Sequence, residues 1–137
     1  RPAHAVRLYD YSSDRTLCVT HMHGLRDPAG KGDTAERERQ AHRLRTLWRQ
    51  LREPEDLSVI CGDFNVEPHS TTLELLKKDG LTDLVTSRGY EGTRSSHYPK
   101  AGRFADYMLI GDEKAVVDFQ VVRDPEVSDH CPLRLTV

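Results

Sequence analysis

Apolar and polar residues alternate along residues 5–11 and again along residues 16–22, with the polar stretch 12–15 between them. A period of two is the pattern of a half-buried β-strand, so the two stretches predict a β-hairpin. Other short apolar runs are bounded by turn-forming residues and predict further strands. These runs cover residues 57–61, 81–85, 104–110, 116–122 and 133–137.

One stretch between the predicted strands has the three- and four-residue apolar spacing of an amphipathic helix. Asp33 and Glu36 have the spacing of a capping box and predict its start, and Pro54 predicts its end. Its arginines fall mostly on the opposite face, where glutamates break up their charge, so we expect a solvated face and not a nucleic-acid stripe. The apolar residues are Ala41, Leu44, Leu47, Trp48 and Leu51, and the arginines are Arg37, Arg39, Arg43, Arg45 and Arg49.

A second, shorter helix follows the central predicted strand. Thr71 and Glu74 have capping-box spacing, and Gly80 suits the left-handed backbone that often ends a helix. Strands that alternate with helices predict a mixed α/β protein.

Composition narrows the classes of protein. The 137 residues fit one domain or part of one, and the formal net charge of −2 lacks the basic excess of a protein that grips nucleic acid by its phosphates alone. No apolar run is long enough to cross a bilayer. Cys18, Cys61 and Cys131 form no C-x-x-C pair, so we expect reduced core residues. Because the chain begins at Arg1, a removed signal peptide would leave no trace; the cellular location stays open, with the cytoplasm favoured.

The run from Val59 to Asn65 is the first candidate site. A buried strand ends in glycine and delivers Asp63 and Asn65, whose oxygens suit a divalent cation or a phosphate group. An alternative stays open, in which both side chains only satisfy the backbone of an Asx turn. In either case Phe64 should point into the core.

Two histidines form the second candidate. His21 and His23 lie two residues apart at the end of a predicted strand and should share a face. Such a pair can bind zinc or copper or move a proton, although partly exposed loop histidines look the same in sequence.

A buried acid and a long loop complete the candidates. Asp106 interrupts the apolar strand 104–110 and needs a partner, most plausibly histidine or arginine, because an unpaired buried carboxylate is costly. The polar segment 86–103, which carries Arg94 and Arg103, predicts a binding loop for an anionic substrate, or else a hairpin with a mobile tip.

Four motifs, taken together, resemble the endonuclease/exonuclease/phosphatase superfamily of deoxyribonuclease-I-like, metal-dependent phosphoesterases. They occur in the order and with the kind of spacing found in that family. The motifs are Val19-Thr20-His21-Met22, Gly62-Asp63-Phe64-Asn65, Ala105-Asp106-Tyr107, and Ser128-Asp129-His130 followed by Pro132.

The resemblance implies a four-layer α/β sandwich of two packed sheets flanked by helices. It covers roughly the C-terminal half of the family domain, so we expect residues 1–137 to be the C-terminal part of one domain with the N-terminal part absent. The family's earlier half supplies an asparagine and a metal-binding glutamate that cannot be assigned here. We therefore expect the fragment alone to be inactive, and to expose apolar sheet surface or cover it by self-association.

By the same resemblance, His130 is the general base and Asp106 the carboxylate that orients it. Asp63 polarises the attacking water, Asn65 holds a phosphate oxygen, and His21 binds the phosphate or protonates the leaving group.

The implied cofactor is Mg²⁺ or Mn²⁺. Asp129 would be its principal ligand, with Asp63 and Asn65 as further ligands, and Arg94 and Arg103 are weaker candidates for phosphate contact.

The resemblance implies a divalent-metal-dependent phosphoester hydrolase that uses a water activated by a histidine–aspartate pair. The substrate would be a nucleic acid, a phospholipid or a sugar phosphate. The activity stays open between nuclease, phosphodiesterase and phosphatase. One rival is a catalytically silent binding or regulatory module that retains the fold. Another is a zinc enzyme built on His21, His23 and Asp63, disfavoured because no third nitrogen or sulfur ligand has suitable spacing.

Overall fold

The protein is described by a computed structural model that covers residues 2–137. Over these residues seven strands and three helices alternate, with a 3₁₀ turn at Glu113–Ala115. The strands are β1 (Ala3–Asp10), β2 (Arg15–His23), β3 (Leu57–Asp63), β4 (Thr82–Asp83), β5 (Asp106–Ile110), β6 (Asp118–Val121) and β7 (Leu133–Thr136). The helices are α1 (Ala35–Leu51), α2 (Thr71–Lys77) and α3 (Leu84–Ser87).

A five-stranded mixed sheet in the order β1-β2-β3-β5-β4 organises the molecule, and β6 and β7 form a separate antiparallel pair. The predicted hairpin is confirmed, because β1 and β2 pair antiparallel. β2 then runs parallel to β3, with α1 as the crossover between them. β5 returns antiparallel beside β3, so the end of β3 lies next to the start of β5.

Helix α1 covers one face of this sheet. Its buried residues include Ala41, Leu44 and Trp48, as the apolar spacing predicts, and the Trp48 indole nitrogen donates to Ser58 Oγ of β3. Arg37 corrects the prediction of a solvated arginine face, because its side chain is buried. The loop before α1 folds over Arg37, whose guanidinium donates to the backbone carbonyls of residues 25, 30 and 32.

The capping residues of α1 and α2 each differ by one position from the prediction. Thr34, not Asp33, caps α1 and accepts from the backbone of Arg37. Ser70, not Thr71, caps α2 and accepts from the backbone of Leu73. Asp33 instead accepts from the backbone nitrogen and hydroxyl of Thr71 at 3.0 and 2.9 Å, which ties the two helix starts together.

The segment after α2 also departs from the prediction. Gly80 adopts the predicted left-handed backbone with φ of +85°. The strand expected at residues 81–85 shrinks to β4, and α3 begins at Leu84 because Asp83 caps it by accepting from the backbone of Val85. The capping side chain therefore converts the second half of an apolar run into helix.

The second face of the sheet is only partly covered. On β1, Val6 and Leu8 are about half exposed, and they lie opposite the half-buried Val19 and Leu17 of β2. An exposed apolar sheet surface is thus present, while self-association through it stays a prediction. Cys18 and Cys131 are buried, Cys61 is partly buried, and all three are free thiols. None of the helices in residues 2–137 has the length and apolarity needed to span a bilayer.

Candidate functional site

The strand register places three polar side chains in one row across the sheet. His23 of β2 pairs with Asp63 of β3, and Asp63 pairs with Asp106 of β5. Residues directly opposite each other in a ladder point to the same face, so the three side chains converge at the edge where β2 and β3 end. His23 Nε2 lies 3.5 Å from Asp63 Oδ2.

The turn after β3 holds this edge in place. Asp63 Oδ1 accepts from the backbone nitrogen of Asn65 at 3.0 Å, which is the Asx turn left open as an alternative. Asn65 has a left-handed φ of +54°, a conformation that asparagine tolerates better than most residues. Phe64 is buried as expected. The turn and the site are therefore compatible, because Asp63 keeps its second oxygen for other contacts.

Gly62 permits the close approach of β2 to β3 at this edge. Its φ is +135°, and a Cβ added there would lie 2.0 Å from the carbonyl oxygen of Met22. Only glycine fits without moving a strand, which explains the glycine directly before Asp63.

Backbone pairing between two loops positions His130 and its neighbours at the candidate site. The backbone of Arg94 pairs with that of His130, and the backbone nitrogen of Cys131 donates to Thr93 O at 2.8 Å. Residues 93–95 of the long loop and residues 129–131 thus lie side by side next to the start of β5. This pairing brings His130 onto Asp106.

Asp106 and His130 form the closest polar pair of the site. His130 Nδ1 lies 2.9 Å from both carboxylate oxygens of Asp106. The hydroxyl of Thr93 donates to Asp106 Oδ2 at 2.9 Å and accepts from the Asp106 backbone nitrogen at 3.0 Å. Asp106 therefore has the partner that its place in an apolar strand demands.

Burial raises the pKa of Asp106, and its contacts with His130 and Thr93 oppose that rise. The nearby carboxylate of Asp63 also raises the pKa. A carboxylate that is held away from water is sensitive to a neighbouring cation, because the charge of that cation is poorly screened.

Asp63, Asp106 and His130 each offer a ligand atom, and these atoms lie within 4.8 Å of one another. Asp63 Oδ2 is 3.9 Å from His130 Nε2, which faces away from Asp106. Two carboxylates and an imidazole are a donor set that divalent cations accept.

Arg94 closes the other side of His130. Its Nη1 lies 2.6 Å from Asp129 Oδ2 and 2.5 Å from His130 Nε2. Because a guanidinium only donates, Nε2 of His130 is the acceptor and Nδ1 carries the hydrogen toward Asp106. The three residues fix the tautomer of the imidazole.

These groups lie along a cavity of about 410 Å³ that opens on the loop side of the sheet. His23, Asp63, Asn65, Asp129 and His130 line one part of it, and Lys31, Arg94 and Tyr98 line another. The arrangement can bind an anionic group beside an imidazole and two carboxylates.

The sequence profile described as "Endonuclease/Exonuclease/phosphatase family" matches residues 1–130. The chain belongs to the endonuclease/exonuclease/phosphatase family. This is a superfamily of phosphoesterases and nucleases. No curated protein matches the sequence significantly.

Two solved structures are similar to this member of the family. The human Nocturnin catalytic domain, solved with a bound sulfate anion, has 20% identity and a TM-score of 0.59 over 98% of this chain and 52% of its own. An endonuclease/exonuclease/phosphatase family protein from Bacteroides thetaiotaomicron has 17% identity and a TM-score of 0.69 over 97% of this chain and 54% of its own. The likeness shows the deoxyribonuclease-I-like α/β fold. The chain spans about half the length of each structure.

Most of the family residues expected from the sequence meet at this edge, but His21 and Arg103 lie apart. His21 lies two residues before His23 on β2, pairs with Cys61 of β3, and is exposed. It lines a second groove that Asp63, Asp106 and His130 also line. Arg103 donates to the backbone carbonyls of Arg94 and Ser95 at 2.7 and 2.8 Å, so it supports the long loop.

Several residues at this candidate site have no clear signal in the sequence. Thr93 lies in a loop without periodicity, and Lys31 lies between β2 and α1 in a stretch without a site motif. Tyr98 lies in the segment 86–103, which the sequence predicts as a binding loop, but its contact with two cations has no signal in the sequence. His23 was given no family role. His23 is a candidate in the sequence, but only the pairing of β2 with β3 places it beside Asp63.

Proposed function

We propose that the protein is a divalent-metal-dependent phosphoester hydrolase in which His130 activates a water molecule. The observation that carries this proposal is the position of the His130 ring, with Nδ1 at 2.9 Å from Asp106 and Nε2 at 3.9 Å from Asp63. Asp106 orients the imidazole through Nδ1, and Nε2, which accepts from Arg94 in this structure, lies on the side of the second carboxylate.

His130 is the general base in this proposal. Asp106 holds the Nδ1 hydrogen, which keeps the lone pair on Nε2 and stabilises the imidazolium once the proton has moved. Once Arg94 turns from Nε2 to a bound phosphate, a water molecule between Nε2 and Asp63 would give one proton to His130, while Asp63 accepts its second hydrogen and orients it toward the phosphorus. Thr93 positions Asp106 and does not contact the reacting atoms.

The donor set fits a hard divalent cation. The carboxylates of Asp63 and Asp129 both line the cavity, where Arg94 pairs with Asp129. We propose that Asp63 and Asp129 hold Mg²⁺ or Mn²⁺, with Asn65 as a further oxygen ligand. The bound cation would stabilise negative charge on the phosphate oxygens.

Phosphate contacts come from the cavity wall. Asn65 and Arg94 both line the cavity beside His130 and can donate to phosphate oxygens. His21, one row deeper, is proposed to bind the phosphate or protonate the leaving group by way of the second groove. Arg103 is engaged with backbone carbonyls, so phosphate contact by Arg103 would require it to leave them.

The proposal concerns the full-length protein. The chain spans about half of the similar solved structures, and we propose that residues 1–137 form the C-terminal part of one such domain, inactive without the rest. The substrate is a phosphorylated compound, with nucleic acid, phospholipid and sugar phosphate as the candidate classes.

One experiment tests metal and base together. The full-length protein is assayed on bis-p-nitrophenyl phosphate, p-nitrophenyl phosphate and plasmid DNA with Mg²⁺, Mn²⁺ or EDTA, alongside His130→Ala. We expect turnover only with a cation, and a loss of about 10²–10⁴-fold in kcat for His130→Ala, which is the usual contribution of a general base. Turnover in EDTA would contradict the role of the metal, and undiminished turnover by His130→Ala would contradict the assigned base.

A further inference from the structure

The cavity wall is more cationic than the chain that forms it. The chain has a formal net charge of −2, yet the cavity is lined by five lysine or arginine side chains against three aspartates. A wall with this local excess attracts ligands that carry more than one negative charge. The cationic side chains are Arg26, Lys31, Arg37, Arg94 and Lys100.

Lys31 and Arg94 converge on one aromatic ring. The Lys31 ammonium lies 5.3 Å and the Arg94 guanidinium 4.3 Å from the centroid of the Tyr98 ring. Both distances are within the range of a cation–π contact, so both cations pack against Tyr98. Like charges that share one aromatic neighbour repel each other, and an anion bound beside them lowers that repulsion.

Each of the two cations keeps hydrogen-bonding capacity. Lys31 Nζ donates to the backbone carbonyls of Gly102, at 3.0 Å, and Phe104, which leaves one of its three hydrogens for a ligand. Arg94 is 5% exposed, and its Nε is buried without a hydrogen-bond partner. A buried donor without a partner is costly, and its hydrogen bond is made by a group that the folded chain does not supply, such as water or a ligand.

The electrostatic surroundings of Lys31 agree with this geometry. Burial lowers the pKa of Lys31, and the Arg94 guanidinium lowers it further. An anion bound beside Lys31 would oppose both shifts, because it favours the charged ammonium.

We propose that Lys31, Tyr98 and Arg94 form a subsite for a second phosphate group of the substrate. This inference rests on the proposed function: the first phosphate would lie at His130 and Asp63, and the Arg94 guanidinium would lie between the two phosphates and donate to both. It narrows the substrate to a phosphoester that carries another phosphate elsewhere, as in an oligonucleotide or a sugar bisphosphate.

Two substrates that differ by one phosphate group measure the effect of the subsite on kcat/KM. The full-length protein is assayed with Mg²⁺ on thymidine 5′-(p-nitrophenyl phosphate) and on the same compound bearing a 3′-phosphate. We expect a kcat/KM about tenfold higher for the doubly phosphorylated compound, the usual size of one charge-assisted hydrogen bond. Equal kcat/KM values for the two compounds would overturn the subsite.

Variants of Lys31 test whether this residue causes the preference for the doubly phosphorylated compound. Lys31→Met should bring the ratio of the two kcat/KM values close to one, whereas Lys31→Arg, which keeps the charge, should preserve it. Lys78→Met removes an exposed lysine beyond the end of α2, does not line the cavity, and is the matched control. Thermal melts verify that each variant is folded. A Lys31→Met ratio equal to that of Lys78→Met would overturn the proposal.

Binding without turnover separates this inference from the proposed function. Calorimetry in EDTA compares thymidine 3′,5′-bisphosphate with thymidine 5′-monophosphate, and fructose 1,6-bisphosphate with fructose 6-phosphate. Tighter binding of a bisphosphate than of its monophosphate, lost in Lys31→Met, supports the subsite even if no compound is hydrolysed. The pair that shows the larger difference in affinity identifies the ligand as a nucleotide or a sugar phosphate. Equal affinities within both pairs would overturn the subsite even if hydrolysis is observed.

Discussion

Two clusters, each built around a carboxylate, serve different purposes in this protein. Asp79, at the end of α2, accepts from Arg45 Nη2 and Arg49 Nη2 of α1, both at 2.5 Å. Asp106, at the start of β5, faces His130 and the carboxylate of Asp63. The Asp79 cluster joins two helices and does not line the cavity, whereas Asp63 and His130 of the Asp106 cluster line it.

The pKa shifts of the two carboxyl groups have opposite signs. The hydrogen bond from Arg45 is the main cause that lowers the pKa of Asp79, and Arg49 lowers it further. Burial is the main cause that raises the pKa of Asp106. The Asp79 cluster is therefore complete without a ligand and stabilises the fold, whereas the Asp106 cluster holds a costly charge that an additional cation would relieve.

Asp106→Asn gives the largest expected effect. The amide cannot stabilise the imidazolium of His130, so we expect kcat to fall by at least about 10²-fold. Burial raises the pKa of Asp106, so the ionised carboxylate costs folding free energy, and this cost grows as the pH rises. The melting temperature at pH 7 should therefore stay the same or rise, as thermal unfolding would measure. A folded variant with full activity would show that Asp106 has no catalytic role.

Thr93→Val should have an intermediate effect. It removes the hydroxyl that donates to Asp106 Oδ2 at 2.9 Å, and we expect kcat to fall about tenfold, which corresponds to one lost hydrogen bond. Thr93→Ser keeps the hydroxyl and is the control, with activity close to that of the wild type. Equal losses for valine and serine would mean that the hydroxyl does not position Asp106.

Asp79→Asn should leave activity within about twofold but destabilise the fold by about 1 kcal/mol, which lowers the melting temperature by roughly 4 °C. The lowered pKa of Asp79 means that its stabilising contribution is present above the unfolded pKa near 3.8 and is lost as pH falls through the folded pKa. Melts of wild type and variant should therefore differ at pH 7 and converge in strong acid. A large loss of activity would show that the two clusters are coupled.

The sequence predicted the site better than it predicted the details around it. The apolar run that surrounds Asp106 demanded a partner, and the Ser-Asp-His motif supplied His130; the structure places the two in contact. The positions of Asp63 and His23 follow from strand register. The contact between Arg94 and Asp129 depends on two aperiodic loops that pair across 35 residues, and no local pattern encodes that pairing.

Local signals failed where a distant partner competed for the same side chain. Asp33 and Thr34 are both good helix caps, and Thr34 caps α1 because Asp33 is bound to Thr71. Arg37 lies on the polar side of the helical pattern, yet carbonyls of the preceding loop bury it. Periodicity describes the face of a helix, but it does not report which loop folds over that face.

A double-mutant cycle on Asp106 and His130 tests the central claim most directly. Values of kcat/KM with Mg²⁺ are measured on bis-p-nitrophenyl phosphate for the full-length wild type, Asp106→Asn, His130→Ala and the double variant. Because Asp106 acts through the imidazole, we predict that the double variant loses no more activity than His130→Ala alone. Losses that add in free energy would contradict the assignment of His130 and Asp106 as one catalytic unit.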